Sequence, residues 1–230
     1  MIEDVSMSVL FKLPPEKAIA FLAARGYIVT KDWEKLLEKS RDQAFYITGV
    51  MKEDIIKDAK NIIDRGITEG KTFNSIKDEF KSRMQAKGWE ASTFRLKQIY
   101  RINTDIAYSV GRFEEQNSIK DFAPVWVYDA VMDSNTRPAH AELNGKAFDA
   151  DDPFWDYFYP PNGYACRCKV RAMTPERAER KGIEIESSKG KLKVAEDDNG
   201  EKTHAYKNIK IDAGWDKNIG KEYLKGNLNG

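Results

Sequence analysis

Ala123-Pro-Val-Trp-Val-Tyr-Asp-Ala-Val131 is the stretch that decides the fold class, because the chain changes character there. β-Branched and aromatic residues dominate this stretch, which predicts a β-strand. The alternating stretch Cys166-Arg-Cys-Lys-Val-Arg-Ala-Met173 predicts a second strand. Everything before these strands has a helical pattern. We therefore predict an α+β fold, with a helical N-terminal part followed by a smaller domain that has a short, mostly antiparallel sheet.

Residues 1–118 contain five amphipathic patterns with apolar residues at i, i+3 and i+4, which predict a helical N-terminal region. Prolines and capping residues mark the helix starts, and glycines mark several of the ends. The five predicted helices begin near Leu13, Asp32, Ile55, Thr72 and Ser92, and the second extends through Ala44, Phe45 and Ile47. Gly26, Gly66 and Gly88 are the predicted ends of three of them. We interpret the apolar stripes as core packing.

Residues 119–182 form the predicted α+β domain. A short helix is predicted over Thr136–Leu143, closed by a tight turn at Asn144-Gly145, where the glycine supplies a positive φ. Phe148–Pro161 is predicted to be an aromatic, acidic loop that serves as core or as a protein interface, since its acids would repel nucleic-acid phosphates. Thr174 is predicted to cap a last short helix.

Residues 183–230 are predicted to form a separate segment with a weaker pattern. Strands or hairpins are expected around the turn Asp197-Asp-Asn-Gly200. The end, Gly214-Trp-Asp-Lys-Asn-Ile-Gly220 followed by Lys-Glu-Tyr-Leu, is polar and rich in glycine. We predict that it is an extended C-terminal arm that orders against another surface.

The charge balance limits the possible partners. The chain has 230 residues, with 38 lysines and arginines against 37 aspartates and glutamates, which argues against a uniformly basic coat for nucleic acid. Charge is uneven locally: residues 121–160 hold eight acids and two bases, and residues 161–182 hold six bases and two acids. No apolar run approaches a membrane span, and the start lacks a signal-peptide pattern, so we expect folding in a cytoplasm.

Cys166 and Cys168 are the two cysteines of the chain, and a reducing cytoplasm would keep them as thiols. Residues two apart on a strand point to the same face, so both thiols would face one side. His140, from the short helix, would supply a third ligand for zinc, with Asp133 or water as the fourth. Two alternatives stay open. The three residues could be core residues, with His140 bonded to a backbone carbonyl, or the thiols could be reactive.

Asp133 and Arg137 lie four residues apart, which predicts that they brace the short helix by capping and ion pairing. An alternative is that Arg137 and Arg167 hold phosphate groups. Lys169 and Arg171 extend the same basic stretch, and they are the candidate residues for a contact with DNA.

A set of short motifs then follows in a fixed order: Asp133-Ser-Asn-Thr-Arg137, His140, Leu143-Asn-Gly145, Pro160-Pro-Asn-Gly163 and Cys166-Arg-Cys168. This order resembles the head-morphogenesis domain of the Mu-type minor head protein family of tailed phages. Arg101-Ile-Asn-Thr104 with Ala107-Tyr108, and the closing Gly214–Gly220 with Ile219 in place of the expected proline, are similar to further family motifs. The resemblance is tight over residues 95–175 and looser elsewhere.

The resemblance implies a structural protein of a phage or prophage head, acting near the portal during head assembly or DNA packaging. The implied partners are the portal protein and other head or scaffold proteins, with non-specific contact to phage DNA as an addition. We expect no membrane partner, and a location in the host cytoplasm during assembly and in the virion afterwards. We also expect no catalysis. Two alternatives are a metal-dependent nuclease or transferase centred on His140 with Glu142 and Asp133, and a DNA-binding module using the lysine-rich helices over residues 52–87.

Overall fold

Helices make up most of the described residues up to Arg112, as the apolar periodicity predicts. The computed structural model describes residues 16–27, 29, 44–45, 47, 50 and 52–228. Its contacts divide the chain into two units, Met1–Arg112 and Phe113–Gly230. The described helices that begin before Arg112 are α1 (Glu16–Ala24), α2 (Glu53–Thr68), α3 (Phe73–Ala86) and α4 (Thr93–Ser118), and the boundary between the units falls inside α4. With the strands described below, the α+β class is confirmed.

The helix starts and ends follow the capping pattern of the sequence. Thr72 is the N-cap residue of α3, and the helix stops at Ala86, just before Lys87 and Gly88. Ser92 precedes α4, and its Oγ accepts a hydrogen bond from the Arg95 amide at 3.2 Å. Such a bond satisfies one of the amides that a helix leaves free at its N-terminus. The predicted start at Leu13 and residues 32–43 of the predicted second helix lie outside the described residues.

Gly66 does not end its helix, so that prediction was wrong. α2 continues to Thr68. A Cβ atom on Gly66 would come within 3.3 Å of the Tyr100 ring and 3.4 Å of the Ile76 side chain. The glycine therefore serves the close packing of three helices, which a capping rule applied to one helix does not anticipate.

Ala44 and Phe45 form a strand, not the end of a helix as predicted. β2 (Ala44–Phe45) pairs in parallel with β1 (Gly26–Tyr27), and the Phe45 side chain is fully buried. A short apolar run fits a helix or a strand equally well, and here a strand partner distant in sequence decides between them.

The second unit is organised by a four-stranded sheet with the order β5-β3-β4-β6. Its strands are β3 (Val125–Asp129), β4 (Ala147–Asp149), β5 (Lys169–Met173) and β6 (Ile185–Glu186). β3 pairs antiparallel with both β4 and β5, and β6 joins β4 in parallel. The sheet is therefore mostly antiparallel, and β3, one of its two inner strands, is the stretch that the sequence identified first.

A second sheet, with three strands, follows in the chain. β7 (Leu192–Glu196), β8 (Lys202–Tyr206) and β9 (Ile209–Lys210) are antiparallel in that order. The predicted hairpin turn is present between β7 and β8, where the Asp197 carboxylate accepts bonds from the amides of Asn199 and Glu201. This side-chain turn explains why the aspartate and glycine cluster connects two strands here.

Phe148–Pro161 is not a loop throughout, which corrects the sequence prediction. Phe148 lies in β4, and Phe154–Phe158 is a short helix, α6. The segment folds inward: the rings of Phe148 and Phe154 stack at 4.0 Å, and those of Phe154 and Phe158 at 4.7 Å. The aromatic residues of this segment are core, together with rings from α4, β3 and β8. The fully or almost fully buried members are Phe113, Trp126, Tyr128, Phe148, Phe154, Trp155, Phe158, Tyr159 and Tyr206.

Two further short helices complete the second unit. α5 (Pro138–Leu143) begins with the proline that the sequence placed in its first turn. α7 (Pro175–Arg180) is capped by Thr174, whose side chain accepts a hydrogen bond from the Arg177 amide. α7 therefore starts as predicted, whereas α5 starts two residues after the predicted Thr136, with Arg137 as its N-cap residue. No helix among the described residues is long and apolar enough to span a membrane.

The C-terminal segment is not an extended arm, which corrects the remaining part of the fold prediction. Ile219–Leu228 forms a helix, α8. Trp215, Asn218 and Ile219 before and within it are buried. The Asn218 side chain donates to the Trp155 carbonyl at 3.0 Å, and Lys221 pairs with Asp156. The surface against which this segment orders therefore belongs to its own unit.

Gly220 gives a test of this docking. A Cβ atom there would lie 2.6 Å from the Cβ of Phe113, closer than real contacts allow. Helix propensity alone would make Gly220→Ala stabilising by about 1 kcal/mol. We instead expect the overlap to lower the free energy of unfolding by about 1–3 kcal/mol, measured by urea denaturation. Gly26→Ala, where the added methyl meets nothing within 4 Å, is the control. A neutral or stabilising Gly220→Ala would show that α8 does not pack as described.

Glu186 connects the two sheets of the second unit. Its carboxylate accepts from the Tyr206 hydroxyl at 2.6 Å and from the Lys207 ammonium at 3.0 Å, and Lys146 lies at 3.3 Å. Burial by itself would raise the pKa of Glu186, but these partners outweigh it and lower the pKa to about 2. The charged form is thus preferred in the folded protein.

This pKa predicts an acid-sensitive contribution to stability. A depressed carboxyl pKa stabilises the fold above the ordinary value of 4.5, and the benefit is lost as the pH falls toward about 2. Between about pH 6 and about pH 3, the loss of unfolding free energy should be smaller in Glu186→Gln than in the wild type. Glu184→Gln, at an exposed position two residues away, should keep the wild-type slope. Identical slopes for Glu186→Gln and wild type would contradict the argument.

Candidate metal centre

The structure brings His140, Cys166 and Cys168 together in the second unit. His140 Nδ1 lies 3.7 Å from the Cys166 sulfur and 3.5 Å from the Cys168 sulfur. The three potential ligand atoms all lie within 4.8 Å of one another. Sequence separation between the histidine and the cysteines is more than 25 residues, so tertiary folding alone creates this cluster.

Helix α5 positions the histidine. His140 and Leu143, three residues apart, share one face of α5, and both are buried. The turn after the helix is tied to β3: the Asn144 side chain accepts from the Ala130 amide at 3.0 Å, and the Gly145 amide donates to Tyr128 at 2.8 Å. Gly145 has a φ of +81°, as the sequence predicts for this turn. These contacts fix the distance between α5 and β3.

The two cysteines lie before β5 and not within it, which corrects the strand prediction. β5 begins at Lys169, which pairs with Asp129, the last residue of β3. Residues before Lys169 have no strand partner at that edge, so the chain from Cys166 to Cys168 is irregular. Both thiols nevertheless face the same histidine nitrogen. The histidine and the two cysteines therefore converge as predicted, although the cysteines lie in an irregular segment and not in a strand.

The loop before the cysteines is held by a buried asparagine. Asn162 is fully buried, its side-chain carbonyl accepts from the Tyr128 hydroxyl at 3.0 Å, and its amide donates to the Tyr157 carbonyl at 3.4 Å. At Gly163, φ is +154° and a Cβ atom would overlap the Asp212 carboxylate. These contacts explain the Pro-Pro-Asn-Gly motif as a backbone requirement.

The thiols are electrostatically unequal. Cys166 is buried and Cys168 is partly exposed. The Cys166 thiol donates to the Cys168 sulfur, and this bond together with His140 lowers the pKa of Cys168 to about 5. The same bond and burial raise the pKa of Cys166. These shifts favour a thiolate at Cys168 over one at Cys166.

The His140 ring faces the two sulfurs, and the Tyr128 hydroxyl lies close to the same pair of thiols. His140 directs Nδ1 toward both sulfurs, while its Nε2 atom is buried without a hydrogen-bond partner among the described residues. Burial raises the pKa of Tyr128, and the nearby thiols raise it further. The expectation of a His140 bond to a backbone carbonyl therefore does not match the contacts of its ring.

Asp133 is engaged by Arg167 and not by the thiols. The Arg167 guanidinium donates to both carboxylate oxygens, at 2.5 and 2.6 Å, and the Asn135 amide donates to one of them at 3.0 Å. Arg167 holds the pKa of Asp133 well below its usual range. A bidentate pair of this kind is geometrically specific, so it fixes the loop of Asp133 to the cysteine loop.

Arg137 adds a second tie between the same two loops. Its guanidinium donates to the Tyr164 carbonyl at 2.9 Å and lies 3.3 Å from the Asp212 carboxylate. Arg137 and Asp133 thus pair with residues distant in the chain, whereas the sequence suggested that the two brace α5 locally. Their spacing of four was uninformative, because Arg137 stands at the N-cap position, outside the helix.

The candidate DNA-contact residues share one acidic partner. Lys169 and Arg171 lie 3.4 and 3.3 Å from the Asp129 carboxylate. Side chains of alternate residues on β5 point to the same face, which brings both cations to this carboxylate. Part of their positive charge is therefore compensated within the protein.

Sequence reasoning missed Tyr128, Asn162 and Asp212 as parts of this region. Asn162 lies in the Pro-Pro-Asn-Gly motif, so its motif was a usable signal. Tyr128 was seen only as an aromatic strand residue, and its hydroxyl bond to Asn162 joins positions 34 residues apart. Asp212 lies in a segment with no motif, and no local signal identifies it.

The region that contains the cluster is similar to a known protein family. A family profile described as "Phage Mu protein F like protein" matches residues 57–171, which is half of the chain and includes the cluster. The chain belongs to the phage Mu protein F-like family. The resemblance found in the sequence motifs is therefore confirmed.

Two relatives of this family member are similar over most of its length. One is the "Putative capsid assembly protein F" of Escherichia phage Mu, 32% identical over 215 residues, covering 86% of this chain and 49% of that protein. The other is the "Mu-like prophage FluMu F protein" of Haemophilus influenzae, 29% identical over 219 residues, covering 84% and 53%. The chain spans about half the length of the relatives it matches. No solved structure matches it.

The Tyr128–Asn162 bond can be tested by removing one oxygen atom. Tyr128→Phe keeps the ring but leaves the buried Asn162 carbonyl without its donor, so unfolding free energy should fall by about 1–3 kcal/mol in urea denaturation. Tyr27→Phe is a matched control, because the Tyr27 hydroxyl bonds to Glu53 at an exposed position, where water replaces it. Equal effects of the two substitutions would mean that the buried bond does not support the cysteine loop.

Proposed function

We propose that this protein is a minor head protein of a tailed phage or prophage, which acts at the portal vertex of the procapsid during head assembly or DNA packaging. The carrying observation is membership of the phage Mu protein F-like family, over a match that includes every motif from Asp133 to Cys168. The name of the phage Mu relative supports an assembly role for the shared region. Portal and scaffold proteins are the proposed partners.

The geometry supports a structural role over the metal-dependent enzyme. An acid–base site would need His140, Glu142 and Asp133 to converge on one point. Glu142 is exposed and His140 is buried, because residues two apart in a helix point to nearly opposite sides. Both oxygens of Asp133 are held by Arg167. The motif residues instead form ties between loops, which suits a rigid assembly surface.

The DNA-binding alternative has less support. Lys169 and Arg171 share the Asp129 carboxylate, so the phosphate-binding charge of this pair is reduced. A direct contact with DNA would give retention on DNA-cellulose that falls steeply as salt is raised. In our proposal, the protein reaches DNA mainly through its association with the portal.

The assembly role can be tested by mixing extracts. We expect that a phage or prophage lacking this gene makes functional tails but defective heads. Its extract should therefore regain infectivity when mixed with an extract that supplies heads, and not when mixed with one that supplies only tails. Purified procapsids of the wild type should contain the chain in few copies, as measured by mass spectrometry.

Two controls keep this test specific. Phage DNA replication should be unchanged in the deletion, which separates assembly from earlier steps, and the wild-type gene supplied in trans should restore filled heads. Purified chain should also retain the cognate portal protein in a pull-down. Normal DNA-filled heads in the deletion, with no chain cosedimenting in the wild type, would refute the assembly role. Head defects without portal retention would refute only the portal contact.

A further inference from the structure

We propose that His140, Cys166 and Cys168 bind one zinc ion, which is a structural element of the second unit. The proposal goes beyond the assembly role, because neither the family nor its relatives' names assign a metal to these residues. It rests on the distances between the ligand atoms, on their chemistry and on their burial.

The distances fit a single tetrahedral ion. Zinc lies about 2.3 Å from a thiolate sulfur and about 2.0–2.1 Å from an imidazole nitrogen, so a tetrahedral angle separates sulfur from nitrogen by about 3.6 Å. The Nδ1 atom of His140 lies 3.5 Å from one sulfur and 3.7 Å from the other. All three atoms lie within 4.8 Å of one another. An ion placed among them needs little movement of the side chains.

Hydrogen bonding explains the arrangement less completely than a metal does. An imidazole nitrogen either carries one proton or accepts one. Nδ1 can therefore make one good bond to a thiol, yet it faces two sulfurs at nearly equal distances. A cation between the three atoms satisfies both contacts at once.

The chemistry of the donors selects the metal. Two thiolates and one imidazole are soft and borderline ligands, which favour zinc over magnesium or calcium. Two thiolates also neutralise the charge of a divalent ion, so that the centre is electrically neutral. This matters because His140 and Cys166 are buried, and a net charge would be costly there.

The fourth ligand in the isolated chain is inferred to be water. Asp133, the residue that the sequence suggested, has both oxygens bonded to Arg167. Cys168 is partly exposed, so solvent reaches one side of the cluster. Three protein ligands and a water would complete a four-coordinate zinc, and this leaves one position that is not filled by a protein side chain, unlike the four protein ligands usual at structural zinc sites.

Such an ion would join two elements of the second unit that lie far apart in the sequence. It would connect α5 to the irregular cysteine loop, across the sequence separation of 28 between His140 and Cys168. Metal binding of this kind contributes directly to folding, since the ligands are not assembled in the unfolded chain. The ion would reinforce the two arginine ties, Arg167–Asp133 and Arg137–Tyr164, that hold the same loops together.

The metal itself is the direct readout. The full chain, purified without a histidine tag from cells grown with zinc, should contain about one zinc ion per chain by elemental analysis. After chelation, added cobalt(II) should give intense thiolate-to-cobalt absorption in the near ultraviolet and visible bands typical of tetrahedral coordination. Zinc should displace this spectrum, and a chelator should lower the Tm of the zinc-bound protein.

The chain offers a matched pair of histidine variants, because it has two histidines. His140→Ala should lose the zinc and the cobalt spectrum. His204→Ala should keep both, since His204 is not a member of the cluster and its Nδ1 atom pairs with the Asp216 carboxylate at 2.7 Å. Cys166→Ser and Cys168→Ser should each remove most of the zinc, because each removes one ligand of the same ion.

The wild-type protein decides the matter even where a variant fails to fold. Zinc well below one equivalent in metal-supplied wild type, together with no thiolate-to-cobalt absorption, would overturn the proposal. Zinc retained at one equivalent in a folded His140→Ala variant would also overturn it, because the ion would then not depend on this ligand. Zinc bound at one equivalent and lost selectively in His140→Ala would establish the site.

Discussion

Backbone pairing of β3 on both of its sides is the constraint on which the second unit depends. β3 forms antiparallel ladders with β4 and β5, and its buried residues include Trp126 and Tyr128. The turn after α5 bonds to Tyr128 and Ala130, and the cysteine loop begins where the β3–β5 ladder ends. The α5 turn and the cysteine loop, which carry the candidate site, are therefore both positioned by β3. A shift of register in β3 would separate the histidine from the cysteines.

The aromatic core gives this strand its rigidity. Trp126 packs edge-on against Phe113 with ring centroids 5.8 Å apart, and Phe148 stacks on Phe154. Large rings bury much apolar area and accept only a few mutual orientations, so they fix the positions of α4, α6 and β4. The C-terminal helix completes the same core through Asn218 and Gly220. The loops that carry the motifs are therefore attached to a closely packed aromatic core.

The motif residues make two kinds of contact. Arg137 and Arg167 make polar ties between the loops, and the histidine and cysteines form a buried cluster of metal-binding character. Both kinds of contact join the motif loops to one another. The same reasoning explains why the motif order was a good guide to the family and a poor guide to individual pairings.

Local physics let the sequence determine much of the fold. Apolar periodicity and capping residues predicted α2, α3, α4 and α7, since helix hydrogen bonds join residues close in the chain. The strand β3, the turn at Asn144-Gly145 and the convergence of the histidine with two cysteines were also anticipated.

What only the tertiary structure decided involves partners far apart in sequence. Phe45 became a strand residue because Tyr27 was available to pair with it. Gly66 stayed inside α2 because Tyr100 packs closely on it. Asp133 was taken by Arg167, 34 residues away, and the polar C-terminal segment became a helix against its own core. A sequence pattern predicts which residues are buried or paired. The packing of the whole chain decides which partner each residue contacts.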